Sequence, residues 1–186
     1  MTTIAIVILL FLFGAIAAIY NTLVRSRNRV RNAWSDIDVQ LQRRHDLVPR
    51  LVVAVEQYAK YERATLEAVS VLRTEAIQAA DRRVKSKLED KLSAGIERII
   101  ALAEDYPDLK ANENFLKLQN ELVGTENYLQ FARRYYNGSV RDYNTLTETV
   151  PNNLIAAGFR FRQEDYFQKS SDDAANVPLI NMGSIE

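Results

Sequence analysis

The fold is decided by residues 115–143, FLKLQNELVGTENYLQFARRYYNGSVRDY, in which apolar side chains return at steps of three and four. That spacing places them along one side of an α-helix, and a stripe of this length is typical of a helix packed lengthwise on others. The sequence therefore predicts a long helix, which Pro151 ends, inside a helical bundle. The stripe comprises Phe115, Leu118, Leu122, Thr125, Leu129, Ala132, Tyr136, Val140 and Tyr143.

The composition favours the same class of structure. The 186 residues include only 6 Gly and 4 Pro, and 26% of the residues are charged. Few turn-forming residues and many strong helix formers predict an all-α protein with one core. Lys plus Arg and Asp plus Glu number 24 each, so no excess of positive charge is present to bind a polyanion. We therefore expect no nucleic acid as a partner.

An apolar run precedes the polar part of the chain. Ile4–Tyr20 carries no charge, and Leu23 and Val24 extend it to roughly 30 Å of helix, enough to span a bilayer. Ala15-Ile16-Ala17 has the pattern that signal peptidases cleave, so a signal peptide is the alternative. No Lys or Arg precedes the run, however, whereas a signal peptide begins with positive charge. We predict a retained transmembrane anchor over residues 1–24.

Positive charge follows the run immediately and predicts the topology of the anchor. Basic residues that flank a first transmembrane helix stay on the cytoplasmic side. The amino terminus should therefore lie outside and the rest of the chain in the cytoplasm, with lipid contacted through the anchor and its basic flank. The basic residues are Arg25, Arg27, Arg29 and Arg31.

Residues 25–160 are predicted to form an elongated up-down antiparallel bundle of three long helices and a short carboxy-terminal one. The first helix should continue from the membrane to near Ala79, with a kink at Pro49. Ser86 and Glu89 have the spacing of a capping box for the second helix.

The carboxy-terminal part of the chain is less periodic. Asp108 or Asn112 should cap the third helix, and Gly158 should end the short helix in a left-handed conformation. Residues 161–186 are predicted to be a largely flexible tail, because the stretch after Phe167 is polar and aperiodic. Its apolar Val177–Ile180 is either an ordinary terminus or a segment that docks on the bundle or on a neighbouring subunit.

Several blocks of the sequence resemble the LemA family. They cover most of residues 20–159, with two departures: Arg50 replaces a common Asn after the proline, and Val150 replaces a common Phe. The resemblance implies a membrane anchor with an external amino terminus, a cytoplasmic helical bundle and no defined reaction. The blocks include Ala33-Trp34-x-x-Ile37-Asp38-Val39-Gln40-Leu41, Asp46-Leu47-Val48-Pro49, Asn112-Glu113-Asn114-Phe115 and Ala132-Arg133-x-Tyr135-Tyr136-Asn137.

Polar side chains at intervals of seven accompany the apolar stripe of the third helix. We expect them to pair with polar residues of the first helix and to fix the register of the bundle. The alternative is a polar groove for a peptide or a ligand. The residues are Gln119, Glu126 and Arg133 on the third helix, and Asp38, Arg43, Arg44 and Asp46 on the first.

Candidates for catalytic chemistry are scarce. The chain has no Cys and one His, and Gln42 stands where a Glu-x-x-His pair would need a carboxylate. We expect His45 to be a solvated or hydrogen-bonded surface residue. No phosphate-binding glycine loop or nucleophile motif is present, so we predict no catalytic, cofactor-binding or metal-binding residue.

We interpret the chain as a scaffold of the bacterial inner membrane that self-associates and organises membrane or partner proteins, without catalytic activity. An adaptor or regulator of another membrane protein, such as a protease or a sensor, is the alternative, and an enzyme is least favoured. A first helix of roughly 75 Å would outreach the second, so that its apolar residues need the third helix or neighbouring subunits to cover them. We assign Val30, Trp34 and Ile37 to an oligomer interface.

Overall fold

The structure is a computed structural model that describes residues 1–167. All regular secondary structure in this part is helical, which confirms the all-α class and the helical bundle. The α-helices are α1 (Thr2–Glu56), α2 (Arg63–Gln78), α3 (Arg82–Leu102), α4 (Pro107–Lys110), α5 (Glu113–Glu148) and α6 (Asn152–Gly158), with 3₁₀ turns at Lys60–Glu62 and Ala103–Asp105.

Helix α1 joins the apolar run to the bundle without a break. It is the one helix of the described chain that is long and apolar enough to cross a membrane, and none of residues 2–20 is buried, whereas Leu23 at the end of the apolar run is. Pro49 lies inside α1 and does not end it. The packing of Val48 and Leu51, both fully buried, offsets the backbone hydrogen bond that the proline removes.

The prediction that the first helix continues to near Ala79 is wrong. Helix α1 ends at Glu56, and α2 runs back along it, with Arg73 Nε donating to the carbonyl oxygen of His45 at 2.7 Å. The apolar stripe of the sequence has a gap after Val55, because the next large aliphatic residue is Leu66. Reversal of the chain brings Leu66 into the same core as Val55. The bundle therefore has four substantial helices, α1, α2, α3 and α5.

The helix caps partly follow the prediction. Asn112 caps α5, as one of the two predicted candidates, and accepts from the amide nitrogens of Asn114 and Phe115 at 2.9 and 3.2 Å. The prediction of a capping box at the start of α3 is wrong, because the side chain of Asp81 accepts hydrogen bonds from the first amides of that helix instead. Ser86 and Glu89 lie inside α3 and are buried.

Two hydrophobic cores lie in series along α1 and α5, where the composition predicted one. The anchor-distal core is mainly aliphatic and gathers α1, α2, α3 and α5, whereas the anchor-proximal core is rich in aromatic rings and gathers α1, α5 and α6. The anchor-distal core includes Val48, Leu51, Val55, Leu66, Val69, Leu92, Ile96, Ile99, Phe115 and Leu118. The anchor-proximal core includes Leu23, Val30, Ala33, Trp34, Ile37, Leu129, Tyr136, Val140, Tyr143, Phe161 and Phe167.

Residues 161–167 pack against α5, where the sequence predicted the start of a flexible tail. The side-chain amide of Asn144 exchanges two hydrogen bonds of 3.0 Å with the main chain of Glu164, and Asn137 does the same with Phe167 at 2.8 and 3.1 Å. Seven helical residues rise roughly 10.5 Å and three extended residues span roughly 10 Å, so the two pairs match in spacing. Residues 168–186, including Val177–Ile180, lie outside the described residues.

The turn into this segment also differs from the prediction. Arg160 is the left-handed residue, with φ 58°, and Gly158 has no positive φ. Gly158 instead belongs to α6 as its last residue. A left-handed conformation costs about 1–2 kcal/mol for a residue with a Cβ atom, and the burial of Phe161 directly afterwards offsets that cost.

Candidate functional site

A buried polar layer separates the two cores. Three helices supply it: α1 contributes Arg44 and His45, α3 contributes Glu89, and α5 contributes Glu126 and Arg133. Ser93 and Asp90 of α3 complete the set through hydrogen bonds to the two arginines. The layer is therefore assembled from segments far apart in the sequence.

Arg44 is the centre of the polar layer. Its guanidinium group donates to the carboxylate of Glu89, to Glu126 Oε2 at 3.0 Å and to the hydroxyl of Ser93. On the other side of Glu89, His45 Nε2 lies 2.8 Å from Oε1. Arg44 is 1% exposed, His45 3% and Glu89 0%, so bulk solvent does not screen the contacts of Glu89, whereas the side chain of Glu126 is 31% exposed.

The charge of Glu89 is set by opposing effects. Burial alone would raise the pKa of this carboxyl, but hydrogen bonds and charge from His45 and Arg44 outweigh burial and hold its pKa below the ordinary value. Glu89 is thus ionised at neutral pH. Burial lowers the pKa of the Arg133 guanidinium, and Asp90, 3.0 Å away, opposes that effect.

The geometry of the layer suits a structural role better than chemistry on a substrate. Both carboxylate oxygens of Glu89 bind side chains of α1, one binding Arg44 and the other His45. All three side chains lie inside the bundle. Removal of one partner would leave a buried charge unpaired, which makes such a layer a strong determinant of register. The expectation that His45 lies at the surface is wrong, because its ring is enclosed beside Glu89.

The predicted polar network is only partly brought together. Arg44 and Glu126 are paired, and Arg133 lies beside them but binds Asp90. Asp38 pairs with Lys85 of α3 at 3.5 Å, away from α5. The remaining three residues take no part in the layer: Arg43 is exposed, Asp46 accepts a hydrogen bond from Gln42 at the surface, and Gln119 is half-buried toward the far end of α5.

Sequence reasoning missed the contribution of α3 to the layer. Glu89 stands at a buried position of the apolar stripe of α3, between Ser86 and Leu92. A charged residue on an apolar stripe is a usable signal, because an ionised group in a core requires a partner. The capping-box interpretation of Glu89 concealed that signal.

The three residues assigned to an oligomer interface lie inside the chain, which corrects that assignment. Val30 and Ile37 are 0% exposed and Trp34 is 9% exposed. The indole of Trp34 packs edge-on against Tyr136, with ring centroids 5.3 Å apart, and also contacts Phe167. Helix α5 and residues 161–167 cover this part of α1, so no neighbouring subunit is needed there.

The four arginines after the apolar run all lie on α1. Arg25, Arg29 and Arg31 are exposed, whereas Arg27 is half-buried with its guanidinium group 4.8 Å from the ring centroid of Phe161. Arg27 therefore also packs against the bundle. The orientation that these residues predict remains a prediction.

The outer face of α5 carries an exposed aromatic row that neither core uses. Tyr128 is 62% exposed, Phe131 62% and Tyr135 55%. Gly124 and Gly138 continue the row in both directions, at steps of four, three, four and three, and a Cβ atom on either would meet nothing within 4 Å. We call these five residues the outer seam. Its spacing is that of a coiled-coil heptad, on the side of α5 that faces away from α1.

This architecture defines a class of protein in which a helical bundle continues from a long apolar helix. The model of the LemA family matches residues 33–181, and the chain belongs to this family. This match confirms the resemblance found in the sequence.

The chain is similar to two magnetosome proteins and to a protein named LemA. Magnetosome protein MamQ 2 of Paramagnetospirillum magneticum is 25% identical, over 87% of this chain and 68% of the relative. Protein LemA of Metamycoplasma hominis is 24% identical, over 84% and 72%. Magnetosome protein MamQ of Magnetospirillum gryphiswaldense is 22% identical, over 87% and 68%. None of these names states a reaction.

Proposed function

We propose that this chain is a membrane-anchored scaffold without catalytic activity, which associates side by side with further copies and so organises membrane or partner proteins. The outer seam of α5 is the observation that supports this proposal. Three large rings at heptad spacing are exposed on a rigid helix, and aromatic residues are enriched where proteins meet. Gly124 and Gly138 leave room for a second helix to approach at both ends of the seam.

A second copy fits the seam better than an unrelated partner. Copies anchored in one membrane hold their α5 helices in the same direction and at the same height, because α1 connects each bundle rigidly to its anchor. Two seams brought together around a twofold axis then meet at equal residues, Phe131 opposite Phe131. Aromatic rings stacked in this way gain attraction beyond the burial of their area.

The size of the seam favours weak association that depends on the membrane. A buried aromatic side chain covers about 150–250 Å², so the exposed parts of the three rings offer roughly 350 Å² per copy. Two such surfaces total roughly 700 Å², below the roughly 1,200 Å² of a stable interface in solution. Anchors in one membrane raise the effective concentration, so that this area suffices there.

The proposed location is the inner membrane, with the amino terminus outside and the bundle in the cytoplasm. The supporting observations are the exposed apolar part of α1 and the exposed Arg25, Arg29 and Arg31 beyond it. A reporter enzyme that is active only outside the cytoplasm, fused after Glu186, should stay inactive. An active fusion would reverse the proposed orientation.

Cysteine cross-linking of full-length protein in lipid vesicles tests the self-association. The chain has no Cys, so oxidation of a Gly138→Cys variant, which keeps all three rings of the seam, joins only the introduced thiols. We expect a covalent dimer from Gly138→Cys, where an added Cβ atom meets nothing within 4 Å, and none from the control Val53→Cys, which is 57% exposed on α1 away from the seam. Equal cross-linking at both positions would indicate random collision and contradict the proposal.

A second variant separates association from folding. Tyr128→Ser, Phe131→Ser and Tyr135→Ser together should abolish energy transfer between labelled copies in vesicles while the helical content stays unchanged, because exposed substitutions change stability by about 0.5 kcal/mol or less each. Tyr61→Ser, at a residue 97% exposed outside the seam, is the control and should leave energy transfer intact. If wild-type copies show no energy transfer and a second chain co-purifies in equal amount, the adaptor hypothesis replaces the scaffold.

A further inference from the structure

Helix α6 lies beside the end of the apolar run and carries exposed apolar side chains. Its buried side, with Ala156 and half-buried Ile155, packs in the anchor-proximal core with Leu23, Val24 and Ile19. The opposite side exposes Leu154 at 70%, and the adjoining Val150 and Phe159 are 79% and 56% exposed. We call Val150, Leu154 and Phe159 the α6 patch.

The α6 patch is continuous with the exposed surface of the anchor. The ring of Phe159 packs on Tyr20 with centroids 4.9 Å apart, and Tyr20 itself belongs to the apolar run. Ile16, one turn nearer the amino terminus, is 41% exposed on the same helix. Whatever surrounds the last turns of the anchor therefore also reaches the α6 patch.

The position of α6 along α1 sets its depth. Tyr20 precedes Val24, the end of the apolar run, by four residues, or roughly 6 Å of helix. A bilayer has a hydrocarbon core of about 30 Å and polar interfaces that bring the total to about 40–45 Å. An anchor centred in that core holds Phe159 and Leu154 near its boundary with the polar interface.

Several exposed basic residues lie near the patch, as does the exposed carboxylate of Glu148, two residues before Val150. Arg160 and Arg162 directly follow α6, and Arg25 and Arg29 follow the anchor, all with exposed side chains. Basic residues next to an apolar surface bind anionic headgroups while the apolar groups enter the acyl region. Tyr and Phe rings at such a boundary form the aromatic belt of membrane proteins.

We infer that α6 is a second membrane-contacting element, in which Val150, Leu154 and Phe159 insert into the lipid leaflet beside the anchor. This inference rests on the proposal that the chain is anchored in a membrane. It adds that the bundle lies on the bilayer through α6 and the turn after it. The contact then fixes the rotation of the bundle about α1 relative to the membrane surface.

Spin labels on single cysteines test the inference in full-length protein reconstituted into vesicles of phosphatidylcholine and phosphatidylglycerol. Because the natural chain has no Cys, each variant carries one label. Leu154→Cys is the test, Phe11→Cys in the anchor is the lipid reference, and Val53→Cys on the far part of α1 is the control. Leu154 and Val53 are both exposed aliphatic residues, 70% and 57%, which makes them a matched pair.

Collisions with oxygen, which concentrates in lipid, and with a water-soluble nickel chelate measure the surroundings of each label. We expect the label at 154 to collide more with oxygen than with nickel, as at 11, and the label at 53 to show the inverse ratio. A water-like ratio at 154 with a lipid-like ratio at 11 would overturn the inference and leave the anchor in place. Protection at 154 from both reagents would also overturn it, since protein would then cover the patch. A water-like ratio at 11 would overturn the anchor itself.

Discussion

The anchor-distal and anchor-proximal cores both bury apolar side chains of α1 and α5, but different elements enclose them. In the anchor-distal core four helices surround aliphatic side chains, whereas in the anchor-proximal core only α1 and α5 run side by side over their length. Helix α3 begins at Arg82, whose guanidinium group lies 4.7 Å from the ring centroid of Trp34. Beyond that level, large rings, α6 and residues 161–167 take the place of α2 and α3. Side-chain volume thus compensates for missing helices.

Breaking the polar layer between the two cores should have the largest effect on stability. Arg44→Met leaves Glu89 buried without its main cationic partner, which should cost about 3–5 kcal/mol of unfolding free energy. The double variant Arg44→Met with Glu89→Gln should recover much of that loss, because the buried charge is gone and the amide can still bind His45. Denaturant unfolding in detergent measures both. A loss below about 1 kcal/mol for Arg44→Met would contradict the central place of this residue.

Trp34→Ala should weaken the anchor-proximal core selectively. Truncation of a buried aromatic residue costs about 3 kcal/mol or more, here through lost contacts with Tyr136 and Phe167. Hydrogen exchange should become faster in α6 and in residues 161–167, while α2 keeps its protection. Tyr61→Ala, at a residue 97% exposed, serves as the control. Uniform acceleration throughout the chain would show that the two cores unfold as one unit.

A pair of glycine substitutions compares close packing in the anchor-distal half with the open outer face of α5. A Cβ atom on Gly95 would lie 2.7 Å from Val69 Cγ2, so Gly95→Ala should cost about 1–3 kcal/mol by forcing α2 and α3 apart. A Cβ atom on Gly138 would meet nothing within 4 Å, so Gly138→Ala should gain up to about 1 kcal/mol of stability. Thermal unfolding of both variants gives the signs. A stabilising Gly95→Ala would contradict the close approach of α2 and α3.

The smallest expected effect is the pH dependence contributed by Glu89. Its folded pKa lies below the ordinary value of 4.5, so the stabilisation is complete above pH 4.5 and is lost as the pH falls through the folded pKa. The stability gap between wild type and Glu89→Gln should therefore narrow under acid. Glu121→Gln, which removes an exposed ion pair with Arg50, should show little gap at either pH. A gap for Glu89→Gln that widens in acid would reverse the sign of the pKa shift.

The long helices could be predicted from the sequence because their periodicity is local information. The stripe of α5 from Phe115 to Tyr143 and the cap at Asn112 depend on neighbours within one or two turns. The chain reversal after Glu56 is harder to predict from the sequence, since it depends on which other helices bury Leu66. Even there, the gap in the stripe after Val55 was a usable signal.

The polar layer and the packed segment 161–167 depend on contacts between distant parts of the chain. Glu89 meets Arg44 across 45 positions of sequence, and no local pattern specifies that pair. The segment has a faint signal, because Tyr136-Asn137 and Tyr143-Asn144 repeat seven residues apart. Each repeat binds the segment through its tyrosine hydroxyl and its asparagine amide, the hydroxyls donating to the carbonyl oxygens of Asp165 and Arg162. Polar residues repeated seven positions apart on a helix can thus indicate that an extended segment of the chain packs along that helix.

The unbroken course of α1 makes the bundle a lever arm for its anchor. From Val24 to Glu56 the helix rises roughly 48 Å, without a linker in which motion could be absorbed. Transmembrane helices tilt by about 20° on average. A tilt of that size in the anchor displaces the far end of the bundle by roughly 16 Å. A thinner bilayer increases that tilt, so a change of membrane thickness becomes a sideways displacement of the far end of the bundle.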